Sequence, residues 1–227
     1  MDSLAARLAS TRAAISDECR RLGREEPTLI VVTKNHGVDL VRDLYDLGER
    51  NFGENRVQEA LPKFEEFAEL NRPEQVNWHL IGQLQTNKVK QALEFASTIH
   101  SLDRESLLME LGKRTINRER PLGVFIQVNL TDDPDRGGIS PASLLGFANQ
   151  VSEIHTLQLE GLMGVASLEK SPDRDFEIIA NLSESLAKDH PAASKLSIGM
   201  SGDYLPALQF GATHLRIGTA ITGNRQK

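Results

Sequence analysis

The chain is short of cysteine, of positive charge and of long apolar runs, and it lacks the common glycine-rich nucleotide signatures. Cys19 is the single cysteine in 227 residues, so no internal disulfide forms and a cytoplasmic location is expected. Its spacing from Leu8, Ile15 and Leu22 assigns it to core packing. A net charge of -6 gives no broad footprint for nucleic acid or anionic membrane, so neither is expected as a partner. No apolar run reaches the roughly 20 residues of a membrane-spanning helix. The opening MDSLAAR has no apolar segment of a secretory leader, so the triplets at Asn129 and Asn181 read as chance glycosylation matches. Neither GxGxxG nor GxxxxGK[ST] occurs, and the six histidines show no HxH or HExxH spacing, so no dedicated metal site is expected.

What is present is alternation. Short apolar runs predict strands at 28–33, 50–52, 77–81, 98–101, 122–130, 157–166, 195–198 and 213–217. A helix over 3–23 opens the chain, with Ser3 as its N-cap and Leu4, Leu8, Ile15, Cys19 and Leu22 as its apolar stripe. A second helix carries Val38, Val41 and Tyr45 and stops at Gly48. Further helices are predicted near 55–69, 86–96, 104–118, 140–154, 173–188 and 202–211, and a surface loop at 69–75. Strands alternating with helices imply a parallel sheet. Eight of them, without a dinucleotide turn, favour a closed (β/α)8 TIM barrel over an open doubly wound sheet, as one domain spanning residues 1–227.

Active sites of such barrels lie at the C-terminal ends of the strands. Lys34 follows Leu29-Ile30-Val31-Val32 with no charged spacer. A lysine there is expected to lose hydration, which favours the neutral amine that attacks an aldehyde; the plainer reading is a stem that snorkels outward. Ser201-Gly202 and Gly218-Thr219 follow the seventh and eighth strands, where barrels of this kind hold phosphate, although serine and threonine also cap helices there. Together the lysine and the two turns suggest a pyridoxal phosphate site. Arg216 either pairs with a surface carboxylate or points inward. Facing a pyridine nitrogen, a guanidinium cannot accept a proton, so the ring becomes a weak electron sink. His79 shares a strand face with Ile81, where a satisfied core histidine is the leading reading. For Asn55 the leading reading is a helix cap, with a ligand hydrogen bond as the alternative; Met163 and Met200 read as pocket wall or core. Lys88 and Lys90 read as solvated surface.

VVTK, FGENRVQEA, WHLIGQLQTNK, SLDR, GLMGVA, LSIGMSGD and RIGTAITG, in this order, resemble the pyridoxal phosphate homeostasis proteins. This YggS or PROSC type is related to the N-terminal barrel of alanine racemase. The resemblance runs from about Thr28 to Arg225. It implies pyridoxal 5'-phosphate bound as a Schiff base on Lys34. Ser201, Gly218 and Thr219 would hold the phosphate, with the Gly202 backbone nearby, and Arg216 would face the ring nitrogen. Asn55, His79 and Met163 would lie around the ring. It also implies buffering or delivery of the cofactor, with transient contact to apo enzymes that use it and no robust turnover. The chain departs from the family at Asn35-His36-Gly37-Val38, where a proline is frequent, and at Arg56, Arg136 and Thr222.

Two other functions compete. An amino-acid racemase needs a second acid/base group opposite the lysine. Neither Tyr45 nor Tyr204 is marked for that role, and only a few residues follow the last strand, which also removes a familiar dimer interface and makes a monomer the expectation. A barrel isomerase or lyase without cofactor needs a proton-transfer pair, for which Glu54 and His79 are the only candidates.

Overall fold

A computed structural model describes residues 3–70, 75–131, 136–167 and 171–223. The opening helix α1 spans Leu4–Leu22. The Ser3 hydroxyl accepts the Ala6 N–H, and Gly23 ends the helix at φ 64°, a left-handed position that glycine adopts without strain. Strand and helix then alternate: β1 (Thr28–Val32), α2 (Val38–Asp46), β2 (Asn51–Glu54), α3 (Val57–Glu69), β3 (Asn77–Leu80), α4 (Val89–Phe95), β4 (Thr98–Leu102) and α5 (Glu105–Thr115). The second half continues with β5 (Leu122–Gln127), α6 (Leu144–Ser152), β6 (Leu157–Met163), α7 (Pro172–Asp189), β7 (Lys195–Ser197), α8 (Tyr204–Gln209), β8 (His214–Ile217) and α9 (Thr219–Thr222).

The eight strands form a closed parallel barrel in sequence order, and β8 pairs with β1. The expected alternation is therefore the observed one, with shifted ends: β2 and β4 run on to Glu54 and Leu102, and most of the other strands stop earlier than expected. β5 and β6 stop at Gln127 and Met163, although Val128 still donates its N–H to the Met163 carbonyl and bridges to Ile139. Of the loop expected at 69–75, residues 71–74 lie outside the described residues.

Strand alternation sorts the side chains into two layers. Leu29, Val31, Phe52, Trp78, Leu80 and Leu215 point outward and pack against the helices. Around Gly53, by contrast, Ile30, Val32 and Ile81 converge inside the barrel. An aromatic group fastens α3 to the sheet: Phe52 and Phe67 lie 5.7 and 6.1 Å from Trp78 between ring centroids. Such pairs contribute about 0.5–1.5 kcal/mol each beyond their buried area. Cys19 is buried in the same outer layer. α1 lies against α8 and α9, and Arg7 Nε donates to the Ile221 carbonyl at 2.7 Å, so the first helix ties down the last turn.

Gly161 is one place where the barrel demands a glycine. Its φ is +150°, and a Cβ there would lie 1.8 Å from the Lys195 carbonyl oxygen on the neighbouring strand. Gly161→Ala is expected to destabilise the protein by about 2–4 kcal/mol, read as a lowered urea midpoint. An unchanged midpoint would contradict the tight β6–β7 approach.

Candidate functional site

The register of the closing strand pair sets the site. Val31 is level with Ile217, so Lys34 and the Gly218–Ala220 turn leave the barrel side by side. Lys34 and Asn35 are the central residues of a turn closed by the His36 N–H on the Thr33 carbonyl at 3.2 Å. Asn35 has φ 63°, the only positive φ outside glycine among the described residues, and asparagine tolerates it better than most residues. Lys34 is exposed. The loss of hydration anticipated for it is not found, because β1 ends at Val32 and the lysine stands beyond the ladder at the open mouth.

Beneath that turn lies a charged pair that sequence reading missed. Lys63 Nζ donates to Glu54 Oε1 at 2.5 Å and to the Thr33 carbonyl at 2.8 Å. The Thr33 hydroxyl donates to the same carboxylate oxygen at 2.6 Å. Glu54 and Lys63 are both buried, on the helix side of the sheet. Burial pushes the Glu54 carboxyl up, and Lys63 opposes that shift. The arrangement clamps the residue that precedes Lys34. Its signal was present: Lys63 shares the inward face of α3 with Val57, Ala60 and Phe67, where a charge is out of place. Glu54 thus faces away from the mouth and is lost as a proton-transfer candidate.

At the other side of the seam, Ser201 Oγ accepts the N–H groups of Gly218 and Ala220 at 3.2 and 3.3 Å. A Cβ on Gly202 would meet nothing within 4 Å, so that backbone stands open. Thr219 is exposed beside it. With both of those N–H groups spent on its oxygen, Ser201 keeps its own O–H to give to an anion, beside the open Gly202 backbone. The segments that follow are only six and four residues long, so the serine hydroxyl and the open Gly202 backbone carry this argument and not a helix dipole. Thr222, one of the departures, bonds the Gly218 carbonyl through its hydroxyl at 3.3 Å.

Arg216 points inward. It is buried, and it donates to the Ser197 carbonyl at 2.6 Å, Ser197 Oγ at 2.7 Å and the Gly164 carbonyl at 2.9 Å. None of these partners is a carboxylate, so a surface ion pair is not its role. Burial brings its guanidinium down to about 10, which leaves it charged near neutral pH. Met163, at the end of β6, is buried. Asn55 is half-buried and does not cap α3; Arg56 holds that position without a side-chain bond. Arg56 itself is exposed and pairs with Glu59 at 3.3 Å.

His79 sits deeper, inside the barrel. Its Nδ1 lies 3.0 Å from His100 Nε2, and its Nε2 lies 3.2 Å from Asn51 Oδ1. His100 Nδ1 in turn lies 2.9 Å from Ser197 Oγ, so a chain of side chains runs from Asn51 to Arg216. With both nitrogens engaged, His79 is a satisfied interior histidine that supports the site from below. Burial, first, and His214 hold its pKa at about 3. Burial, then the neighbouring His79, hold His100 well below its ordinary value. Tyr45 is buried against Phe67 in the outer layer, and Tyr204 packs against the outer core. Among the described residues no helix is long and apolar enough to cross a membrane.

The fold and the mouth define a barrel of the alanine racemase type. The family model described as "Alanine racemase, N-terminal domain" matches residues 8–226. A protein of Escherichia coli strain K12 named pyridoxal phosphate homeostasis protein is 37% identical over 230 residues, covering 99% of this chain and 98% of that one. The chain belongs to the pyridoxal phosphate homeostasis protein family. PipY of Synechococcus elongatus, solved with pyridoxal phosphate bound, is 34% identical with a TM-score of 0.85, covering 97% of this chain and all of that one. An alanine racemase of Clostridium difficile shares the fold alone, at 12% identity and a TM-score of 0.72 over 95% of this chain and 57% of its own.

The buried histidines predict an acid-side loss of stability. His79 and His100 stay neutral in the folded protein but titrate near 6.5 when unfolded. Below that pH the unfolded chain binds more protons, so stability falls as pH drops from about 6.5 toward 3, by at most about 2.7 kcal/mol per pH unit from these two groups, to which His214, held by burial at about 4, adds its own share. Urea unfolding across this range measures the slope. His79→Gln is expected to remove one proton from it; a slope unchanged in that variant would contradict the assignment.

Proposed function

We propose that the chain binds pyridoxal 5'-phosphate at the barrel mouth and buffers or delivers it. Lys34 Nζ holds the cofactor's aldehyde carbon covalently. Ser201, Gly202, Gly218 and Thr219 receive the phosphate. Arg216 faces the ring nitrogen, with Asn55 and Met163 at the edges of the ring and His79 behind it. The observation that carries the reading is the adjacency of Lys34 to the Ser201 hydroxyl at the Gly218–Ala220 turn across the β1–β8 seam. The cofactor bound in PipY and the names of the curated relatives support it.

When bound, the cofactor supplies an aldehyde that captures amines and a ring that draws electrons. The chain's own groups set limits on that ring. A guanidinium has five N–H donors and no acceptor, so Arg216 keeps the facing nitrogen unprotonated. Tyr45 and Glu54 lie on the helix side of the sheet, and the Asp103 carboxylate, past the end of β4, is taken up by Arg104 and Gln83. These features support holding and transferring the cofactor over racemising an amino acid. The exposure of Lys34 favours release, because incoming water or an acceptor's amine can reach it.

Addition of pyridoxal phosphate is expected to give a visible absorption band that Lys34→Ala abolishes. Ser201→Ala should weaken binding about tenfold, the effect of one charge-assisted hydrogen bond, and excess inorganic phosphate should compete. A wild-type protein without a visible band, or a band that persists in Lys34→Ala, would overturn the assignment. The carrier role fails if the loaded protein reactivates an apo enzyme no faster than free cofactor does.

A further inference from the structure

The interior chain from Asn77 to Arg216 has one consistent placement of its hydrogens. Asn77 Nδ2 donates to Asn51 Oδ1 at 3.1 Å. That oxygen cannot donate, so the His79 Nε2 facing it carries a hydrogen. His79 Nδ1, bare in the neutral ring, then accepts from His100 Nε2. His100 Nδ1 is left as an acceptor for the Ser197 hydroxyl, whose oxygen takes the hydrogen of Arg216 Nη1. Every hydrogen along the chain finds an acceptor, and no two hydrogens face each other.

We infer that Asn77, Asn51, His79, His100 and Ser197 form a one-directional hydrogen-bond chain that orients Arg216, and that His100 and Ser197 are positioning residues for that guanidinium. A proton added to His79 would set its Nδ1–H against the Nε2–H of His100, and one added to His100 would turn the Ser197 hydroxyl hydrogen away and leave Oγ accepting from both neighbours. The single direction along the chain therefore requires both rings neutral. Phe125 stacks on His100 with centroids 4.4 Å apart at 15°, which fixes the ring plane that the order requires. His214 stands beside the pair, its ring 6.2 Å from His100 and in edge contact with Phe125 at 5.1 Å, outside the chain.

The consequence reaches the mouth. Three of the five Arg216 N–H groups are committed, two to Ser197 and one to Gly164, and the remaining two keep a fixed direction. Rotation of the guanidinium would break the Ser197 link and leave buried donors unmet. The hydrogen order and the hold on Arg216 stand on the interior contacts alone; the effect on the cofactor rests on the function proposed above.

Long-range proton–nitrogen NMR on histidine-labelled, cofactor-free protein at neutral pH tests the order. Signals are assigned with His79→Gln and, should that variant misfold, by their contacts to Asn51 and Phe125. Both rings are expected as neutral Nε2–H tautomers; an Nδ1–H tautomer or an imidazolium at either one overturns the chain. Ser197→Ala removes the hydroxyl from both neighbours, whereas Ser197→Thr keeps it. In the cofactor-free protein the alanine variant should speed exchange of the Arg216 Nη hydrogens at least tenfold, and the threonine variant should restore the slow rate. Equal exchange in all three, with their folding verified by circular dichroism, overturns the positioning role. Pyridoxal phosphate affinity is read separately: a protein that shows the hydrogen order but binds no cofactor sinks the proposed function and leaves the chain intact.

Discussion

The parallel pairing of β8 with β1 is the contact on which the rest depends. It closes the sheet, so no strand edge remains, and it brings the beginning of the barrel level with its end. Lys34 and the Gly218–Ala220 turn are far apart in sequence, yet they leave the ladder within three residues of a shared rung. α1 reinforces the seam through Arg7, which bonds the carbonyl of Ile221 and so steadies the turn that follows β8.

Two charged arrangements of opposite design flank this seam. On the helix side, Glu54 and Lys63 neutralise each other and grip Thr33. Removing one partner would leave a buried charge without compensation, a loss of about 3–5 kcal/mol. Inside the barrel, Arg216 has no carboxylate partner and is satisfied by two carbonyls and a hydroxyl. Its positive charge is left uncancelled by any acid in contact with it, which makes the mouth a place for an anionic or electron-rich ligand. The first arrangement fixes a backbone; the second presents a charge.

The alternation of strands and helices was legible in the sequence, because apolar runs ending on glycine or polar residues repeat with little interruption. Lys34, Ser201 and Gly218 were legible for the same reason: strand ends are read directly from where such runs stop. Asn55 was misread as a cap because the sequence does not reveal that α3 begins after Arg56. His100, Ser197 and Asn51 were not found, since an inward polar residue within a strand carries no signal until the barrel closes and gives it partners across the interior. His100 and Ser197 are 97 residues apart and meet only there. The solvation of Lys34 was misjudged for a related reason, as four apolar neighbours in sequence do not bury a side chain that stands two residues beyond the end of β1.

Borohydride reduction of the protein loaded with pyridoxal phosphate, followed by peptide mass mapping, tests the central claim most directly. The account predicts a single pyridoxyl modification on Lys34, and its loss when excess phosphate competes at the Ser201 turn. Modification confined to Lys63, Lys88 or Lys90, or none at all, would contradict it.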